Sequence, residues 1–455
     1  DILTDRGELD GALRIRRQKQ MPVYLRLGDV RSAAVTRGKI ADILAARGEL
    51  DEALRIRREE LLPVFERLGD VREAAVTWGR IADIFAARGE RDEALRIHHE
   101  EELPVYLRLG DVREAAITRS KIADILASRG KLDEALRIHR EEELPVFERL
   151  GEVREAAVTQ GKIADILATR GELDEALHIR REEELPIFER LGDVRSAAVT
   201  QGKIADILAT TGELDEALRI RRKEELPVYL RLGDVHAAAI TRGKIADILA
   251  TRGELDEALR IRREEELPVY LRLGDVREAA ITRSKIADIL ARRGELDEAL
   301  RVYREELLAV FVALGEPLTV AALKGRIANI LLHKDDLDGA LMLQEERLAV
   351  HRGLGDADRI ASSLWDIARI EMQRDQYDQA IPYLQEAWSL FAKLGHAKGL
   401  AVVGRTFGQV LAMAGKKDEA RIVLGRSAEA YRKLGHVQQA AQVEAMLAEF
   451  IDGKL

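Results

Sequence analysis

The sequence contains no cysteine, which removes disulfides and thiolate metal sites from consideration. Aromatic residues make up only 4% of the chain, too few for the interleaved aromatic and basic surfaces on which nucleic acid bases stack. No stretch approaches the roughly 18 consecutive apolar residues of a membrane-spanning helix, and no signal peptide is expected in its opening residues. Neither sign of charge dominates. The 73 Lys and Arg against 82 Asp and Glu leave a net charge of -9, spread evenly, so the basic face of a phosphate-binding protein is missing. These absences argue against nucleic acid and membrane as partners and make the cytoplasm the expected compartment.

What the sequence does contain is periodicity. The glycine of an Arg-Leu-Gly tripeptide or a near variant falls at Gly28, Gly69, Gly110, Gly151, Gly192, Gly233, Gly274 and Gly315, a period of 41, then at Gly355, Gly395 and Gly435, a period of 40. A fixed period in this range marks a solenoid whose units bury their apolar faces only against their neighbours. Within one unit, Ile40, Ile43 and Leu44 stand at helical spacing in a first helix. Gly48 then ends that helix, and Asp51 and Glu52 place acids at the positive end of a second. The second helix is expected to turn Ala53, Leu54, Leu61, Val64, Phe65 and Leu68 inward. Each unit is one helical hairpin.

Seven of the nine prolines, Pro22, Pro63, Pro104, Pro145, Pro186, Pro227 and Pro268, fall inside the second helix. Ala53 to Gly69 is sixteen residues, whereas Ala340 to Gly355 is fifteen. An inserted residue together with a missing donor predicts a bulge or kink beside each Glu-Leu-Pro. Units with Ala309 and Ala349 at the proline position are expected to be straighter.

The segment Gly48-Glu49-Leu50-Asp51-Glu52-Ala53-Leu54 resembles the interhelix turn of the tetratricopeptide repeat family, with Ala41 at the family's other small position. The turn recurs at Gly89, Gly130, Gly171, Gly212, Gly253 and Gly294. The longer helices are similar to those of kinesin light chains and of the sensor regions of bacterial signalling ATPases (STAND) and caspase-like (CHAT) proteases. The turn also separates the chain from HEAT-type repeats of the same length. The resemblance implies an all-α, right-handed superhelical solenoid of antiparallel hairpins, kinked here in the second helices of the first seven repeats. Near-identical 41-residue units are expected over 1–315, the first truncated, with divergent 40-residue units over 316–436 and a capping helix and tail over 437–455. Because Asp1-Ile2-Leu3 matches the middle of a helix in later units, the chain is expected to begin within an element and to be part of something longer.

In that family the first helices line a concave ligand-binding face, which draws attention to Asp42, Asp83, Asp124, Asp165, Asp206, Asp247 and Asp288. A basic residue stands three positions before each. Two readings follow: a ladder of salt bridges, or an acidic track that accepts a basic peptide, with room left by the small residues at Gly38, Gly79, Ser120, Gly161, Gly202, Gly243 and Ser284. Trp78 stands in a variable column with Arg37, Arg119, Gln160, Gln201, Arg242 and Arg283, either as an exposed interface anchor or packed on the next hairpin. His98 and His99 cannot share a helix face and His139 lies one unit away, so no metal site is expected. The Arg-Arg-Glu-Glu runs of the second helix look like a solvated convex face. No phosphate loop, nucleophile elbow or catalytic triad appears. The expected function is a non-catalytic, cofactor-free scaffold for a partner protein or peptide. The alternatives are the sensor arm of a larger prokaryotic effector, or a structural protein that self-associates through its open N-terminal end.

Overall fold

The computed structural model describes residues 9–451; the opening Asp1-Ile2-Leu3 and the tail Asp452–Leu455 lie outside them. Chain contacts divide the molecule into two units, Asp1–Gly233 and Asp234–Leu455. The described residues are successive helical hairpins with no strand, all-α as the sequence leads one to expect. In the first unit, a second helix over 9–27 precedes five complete hairpins, 30–68, 71–109, 112–150, 153–191 and 194–232. In the second, five hairpins are followed by a last helix, Val437–Ile451.

Local sequence sets each hairpin. Asp70, Asp111 and Asp193 cap first helices by accepting from the backbone N–H three residues on, satisfying a donor the helix leaves free. Gly69 and Gly89 end helices with φ of 66° and 80°, a left-handed geometry that costs glycine no steric strain. Ile40, Ile43 and Leu44 are buried as expected, and Ala41 and Ala53 have no exposure at all; nothing larger fits where two helices cross so closely. Leu68 differs from expectation. It is 48% exposed, because it is the last helical residue before Gly69 turns the chain away from the neighbouring helix.

The second helices are interrupted where the spacing predicts. Arg16–Gln20, Ile56–Leu61, His98–Glu102, Ile138–Glu143, Ile179–Glu184, Arg221–Glu225 and Ile261–Glu266 are π-helical, each between two α-helical stretches. In the hairpin 153–191 the Leu185 N–H bonds the Arg180 carbonyl five residues back, one residue wider than an α-turn. The insertion preserves phase. In the uninterrupted helix Leu337–Leu354, buried Ala340 and His351 are eleven residues apart, which at 3.6 residues per turn leaves them about 20° from alignment. Buried Ala176 and Phe188 are twelve apart, and the π-turn absorbs the extra residue.

One expectation is corrected. The hairpin bearing Ala309 is not straighter, because Val302–Leu307 is π-helical with no proline after it. Ala299 to Gly315 is still sixteen residues, so the inserted residue makes the π-turn, and proline merely tolerates it by lacking an N–H. With Ala349, where the spacing is fifteen, the helix is α throughout.

Candidate functional site

The charge runs of the second helices do not lie wholly in solvent. In Arg180-Arg181-Glu182-Glu183-Glu184 the first and last residues are 3% and 5% exposed, contrary to the reading of these runs as a solvated face. Both stand at helical spacing from buried Ala176, on the side that faces the first helix of the same hairpin, as buried Gln344 and Leu348 do after Ala340 in the uninterrupted helix. Arg180 donates from Nη1 to Glu184 Oε2 at 2.5 Å, and from Nη2 to Asp165 Oδ1 at 2.7 Å and to the Gly161 carbonyl at 2.9 Å. Arg262 repeats all three contacts with Glu266, Asp247 and Gly243. Arg221 pairs with Glu225 and Asp206 at 2.6 Å each. The next first helix closes the cluster, where the Thr159 hydroxyl lies 2.8 Å from Glu143 Oε1 and that of Thr282 3.2 Å from Glu266 Oε1.

The small residues have a different use from the one expected. A Cβ on Gly161 would stand 2.6 Å from Glu184 Oε1 and 3.0 Å from Arg180 Nη1, so the space they leave holds the buried ion pair. Where Leu61 replaces the glutamate, Gly38 faces only Leu61 Cδ1 at 3.6 Å. There Arg57 has Asp42 as partner at 2.5 Å, and burial pushes its guanidinium below its usual range against the pull of Asp42. In the hairpin that carries Tyr303 and Leu307, the phenol donates to Asp288 at 2.5 Å. Burial and that bond together push the Tyr303 hydroxyl up.

All seven aspartates of the predicted column are therefore engaged within their hairpins or with the next one. The lysine three residues earlier on the same helix is not the main partner. Lys121 bonds Asp83 at 2.9 Å, Lys162 bonds Asp124 at 2.6 Å, Lys203 bonds Asp165 at 3.1 Å and Lys285 lies 3.3 Å from Asp247, each reaching back one repeat. Arg326 meets Asp288 at 3.2 Å in the same way. Arg80 to Asp83, at 3.7 Å, follows the same-helix spacing. The geometry is that of a salt-bridge ladder within and between repeats. Trp78 is half-buried against the hydrophobic core. Its column mates Arg37, Arg119 and Gln160 instead pair with Glu60, Glu142 and Glu183 at 3.0, 3.0 and 3.1 Å.

Above the ladder lies a groove between successive first helices. Between Val153–Arg170 and Val194–Thr211 it forms a hollow of about 300 Å³, bordered by Val158, Lys162, Asp165, Phe188, Val199 and Lys203. One repeat earlier, an equivalent hollow of about 240 Å³ is bordered by Ile117, Lys121, Asp124, Phe147, Val158 and Lys162. Val158 and Val199 present aliphatic surface to solvent, Val199 at 45% exposure. The groove is thus a repeated unit of one aliphatic side chain over a small residue, flanked by a Lys–Asp bridge.

Burial holds Glu184 and Glu266 above the usual carboxylate range, more strongly than Arg180 and Arg262 pull them down. The folded chain then keeps protons that the unfolded chain has released, so these groups subtract stability as pH rises from about 4.5 through their raised values. A Glu184→Gln, Glu266→Gln variant is expected to gain melting temperature relative to wild type as pH is raised above about 4.5. An unchanged or reversed difference would contradict the assignment.

Residues 319–387 and 359–433 match the tetratricopeptide repeat family. That part of the chain is made of tetratricopeptide repeats, and the hairpins before it share the same type of fold. No curated protein matches the sequence. Among solved structures, a signal-transduction ATPase with numerous domains and a tetratricopeptide repeat sensor, from Pyrococcus horikoshii, is similar at 13% identity over 74% of this chain and 53% of that one, with a TM-score of 0.45. The Rap conjugation gene regulator of plasmid pLS20, solved with the Phr* peptide, is similar at 13% identity over 76% and 96%, TM-score 0.42. A putative kinesin light chain from Podosopora anserina with nearly identical TPR-like repeats is similar at 16% identity over 43% and 95%, TM-score 0.37. Among the described residues no helix is long and apolar enough to cross a membrane.

Proposed function

We propose that the chain is a non-catalytic interaction scaffold that holds a partner protein or peptide in the groove between successive first helices. The observation that carries this reading is the recurrence of one hollow, with the same aliphatic, small and Lys–Asp lining, in consecutive repeats. A surface of this kind suits an extended chain: aliphatic side chains seat on Ile117, Val158 and Val199, while polar groups meet the Lys–Asp bridges between them. Because the bridges already join both signs, they set register along the groove more than they attract a partner of one charge. Asp83, Asp124, Asp165 and Asp247 contribute by holding the lysines at the groove rim. Trp78, half-buried one position before Gly79, would add an aromatic contact on its first helix.

Selection of a random peptide library on the intact chain tests this reading. Peptides so recovered are expected to lose at least about tenfold in affinity, some 1.4 kcal/mol, for a Val158→Glu, Val199→Glu variant with an unchanged helical spectrum. Both positions are solvent-facing, so the fold should tolerate the change. Undiminished binding to that variant would place the contact elsewhere and sink the proposal.

A further inference from the structure

We infer that the hairpins 71–109 and 112–150 each contain a proton-operated clamp, formed by His98 with Glu102 and by His139 with Glu143. The Arg hairpins of the same chain show what the clamp replaces. Arg180 bridges two carboxylates on two helices, Glu184 through Nη1 and Asp165 through Nη2, and its charge is permanent.

His139 occupies the same place. Its ring is fully buried, with Nδ1 2.5 Å from Glu143 Oε2 and Nε2 turned to Asp124 Oδ1 at 3.7 Å. That Nε2 has no hydrogen-bond partner. A neutral imidazole has one N–H: with the proton on Nδ1 it satisfies Glu143 and leaves Nε2 as a bare acceptor facing a carboxylate. A cationic imidazole donates from both nitrogens and reproduces the bridge that Arg180 makes. His98 is buried likewise, with Nδ1 2.5 Å from Glu102 Oε2, and Asp83 precedes it by the same fifteen residues that separate Asp124 from His139.

The surrounding charges are as follows. Around His139, the helix Val112–Ser128 contributes Asp124 and Ser120. The helix Val153–Arg170 contributes Lys162, bonded to Asp124, Thr159, bonded to Glu143, and Glu155 at the border of the hollow. Around His98, the helix Val71–Ala87 contributes Asp83 and Arg80. The helix Val112–Ser128 contributes Lys121, bonded to Asp83, and Glu114, which with Glu102 acts on the neighbouring Tyr106. With a neutral ring each cluster is one positive charge short of its Arg counterpart, and a buried glutamate is left beside an uncharged partner. Protonation therefore ties the second helix to the first in these two hairpins, and loss of the proton releases the tie. If the groove is the binding surface proposed above, its section over 117–158 rests on this clamp; the clamp itself needs no occupant.

Hydrogen exchange on the intact chain at about pH 5.5 and pH 8, corrected for intrinsic rates, tests the inference. Relative to amides of 221–232, those of 98–109 and 139–150 are expected to lose about tenfold or more in protection at the higher pH. His98→Arg, set opposite Gly79 as Arg180 is opposite Gly161, is expected to remove the loss in 71–109 and leave it in 112–150. A protection ratio that does not change with pH overturns the proposal whether or not the variant folds. A loss in 71–109 that persists in folded His98→Arg overturns the assignment to His98. Neither outcome bears on peptide binding by the Val158 and Val199 groove.

Discussion

Replacing Arg180 by leucine is expected to cost about 3–5 kcal/mol of local stability, the usual consequence of leaving a buried charge without its partner. Glu184 would keep only the Thr200 hydroxyl, and Asp165 only Lys203. The chain also shows how the cluster can be removed without that loss. Ser284, Tyr303 and Leu307 stand where Gly161, Arg180 and Glu184 do, and there the phenol reaches Asp288 while Leu307 is buried. The triple replacement Gly161→Ser, Arg180→Tyr, Glu184→Leu is therefore expected to fall within about 1 kcal/mol of wild type, in line with exchanges of buried ion pairs for well-packed apolar groups. Units of a solenoid open semi-independently, so the readout is hydrogen-exchange protection over 153–191. A triple variant as unstable as Arg180→Leu would mean that the ion pair specifies the hairpin in a way Tyr303 and Leu307 do not reproduce.

Excising one residue from a π-turn is expected to divide the hairpins by whether proline follows. Deletion of exposed Glu305 shortens Ala299–Gly315 to the fifteen-residue spacing of the α-helical unit Leu337–Leu354, with Ala309 free to donate to an α-turn. Little stability should be lost. The equivalent deletion of exposed Glu264 forces Pro268 into continuous α-helix, where its ring clashes with the carbonyl four residues back, and it also disturbs Arg262 and Glu266. That deletion is expected to cost about 3 kcal/mol or more, partly recovered by adding Pro268→Ala. Thermal melts of the four proteins, with helix content followed by circular dichroism, decide the matter. Equal losses from both deletions would show that proline does not bar the return to continuous α-helix.

Much of this architecture could be read from residue spacing. Gly48, Ala41 and Ala53 mark the turn and the close crossing of each hairpin, and the difference between sixteen and fifteen residues gives away the inserted π-turn. The buried ion pairs were harder to read, because the run of mixed charges around Arg180 and Glu184 looks like a solvated helix face, although both stand at helical spacing from buried Ala176. One signal does point to them. Gly161, Gly202 and Gly243 sit in the middle of first helices, where glycine costs about 1 kcal/mol relative to alanine, and such a residue commonly marks a close approach. The histidines were hidden for the same reason: as metal ligands His98 and His139 are too far apart, whereas as substitutes for arginine each completes a cluster within its own hairpin.

The account rests on the aspartate column being part of the fold. Thermal unfolding of an Asp124→Ala, Asp165→Ala, Asp206→Ala variant beside wild type tests this most directly. Each substitution strips a carboxylate from a buried cation or imidazole, and each carboxylate is about half exposed, so a loss of about 1 kcal/mol per site is expected. Together these should lower the melting temperature by several degrees while the helical spectrum stays the same. Identical melting of the two proteins would mean that the aspartates do not brace the hairpins, and would return them to the role of a free acidic track.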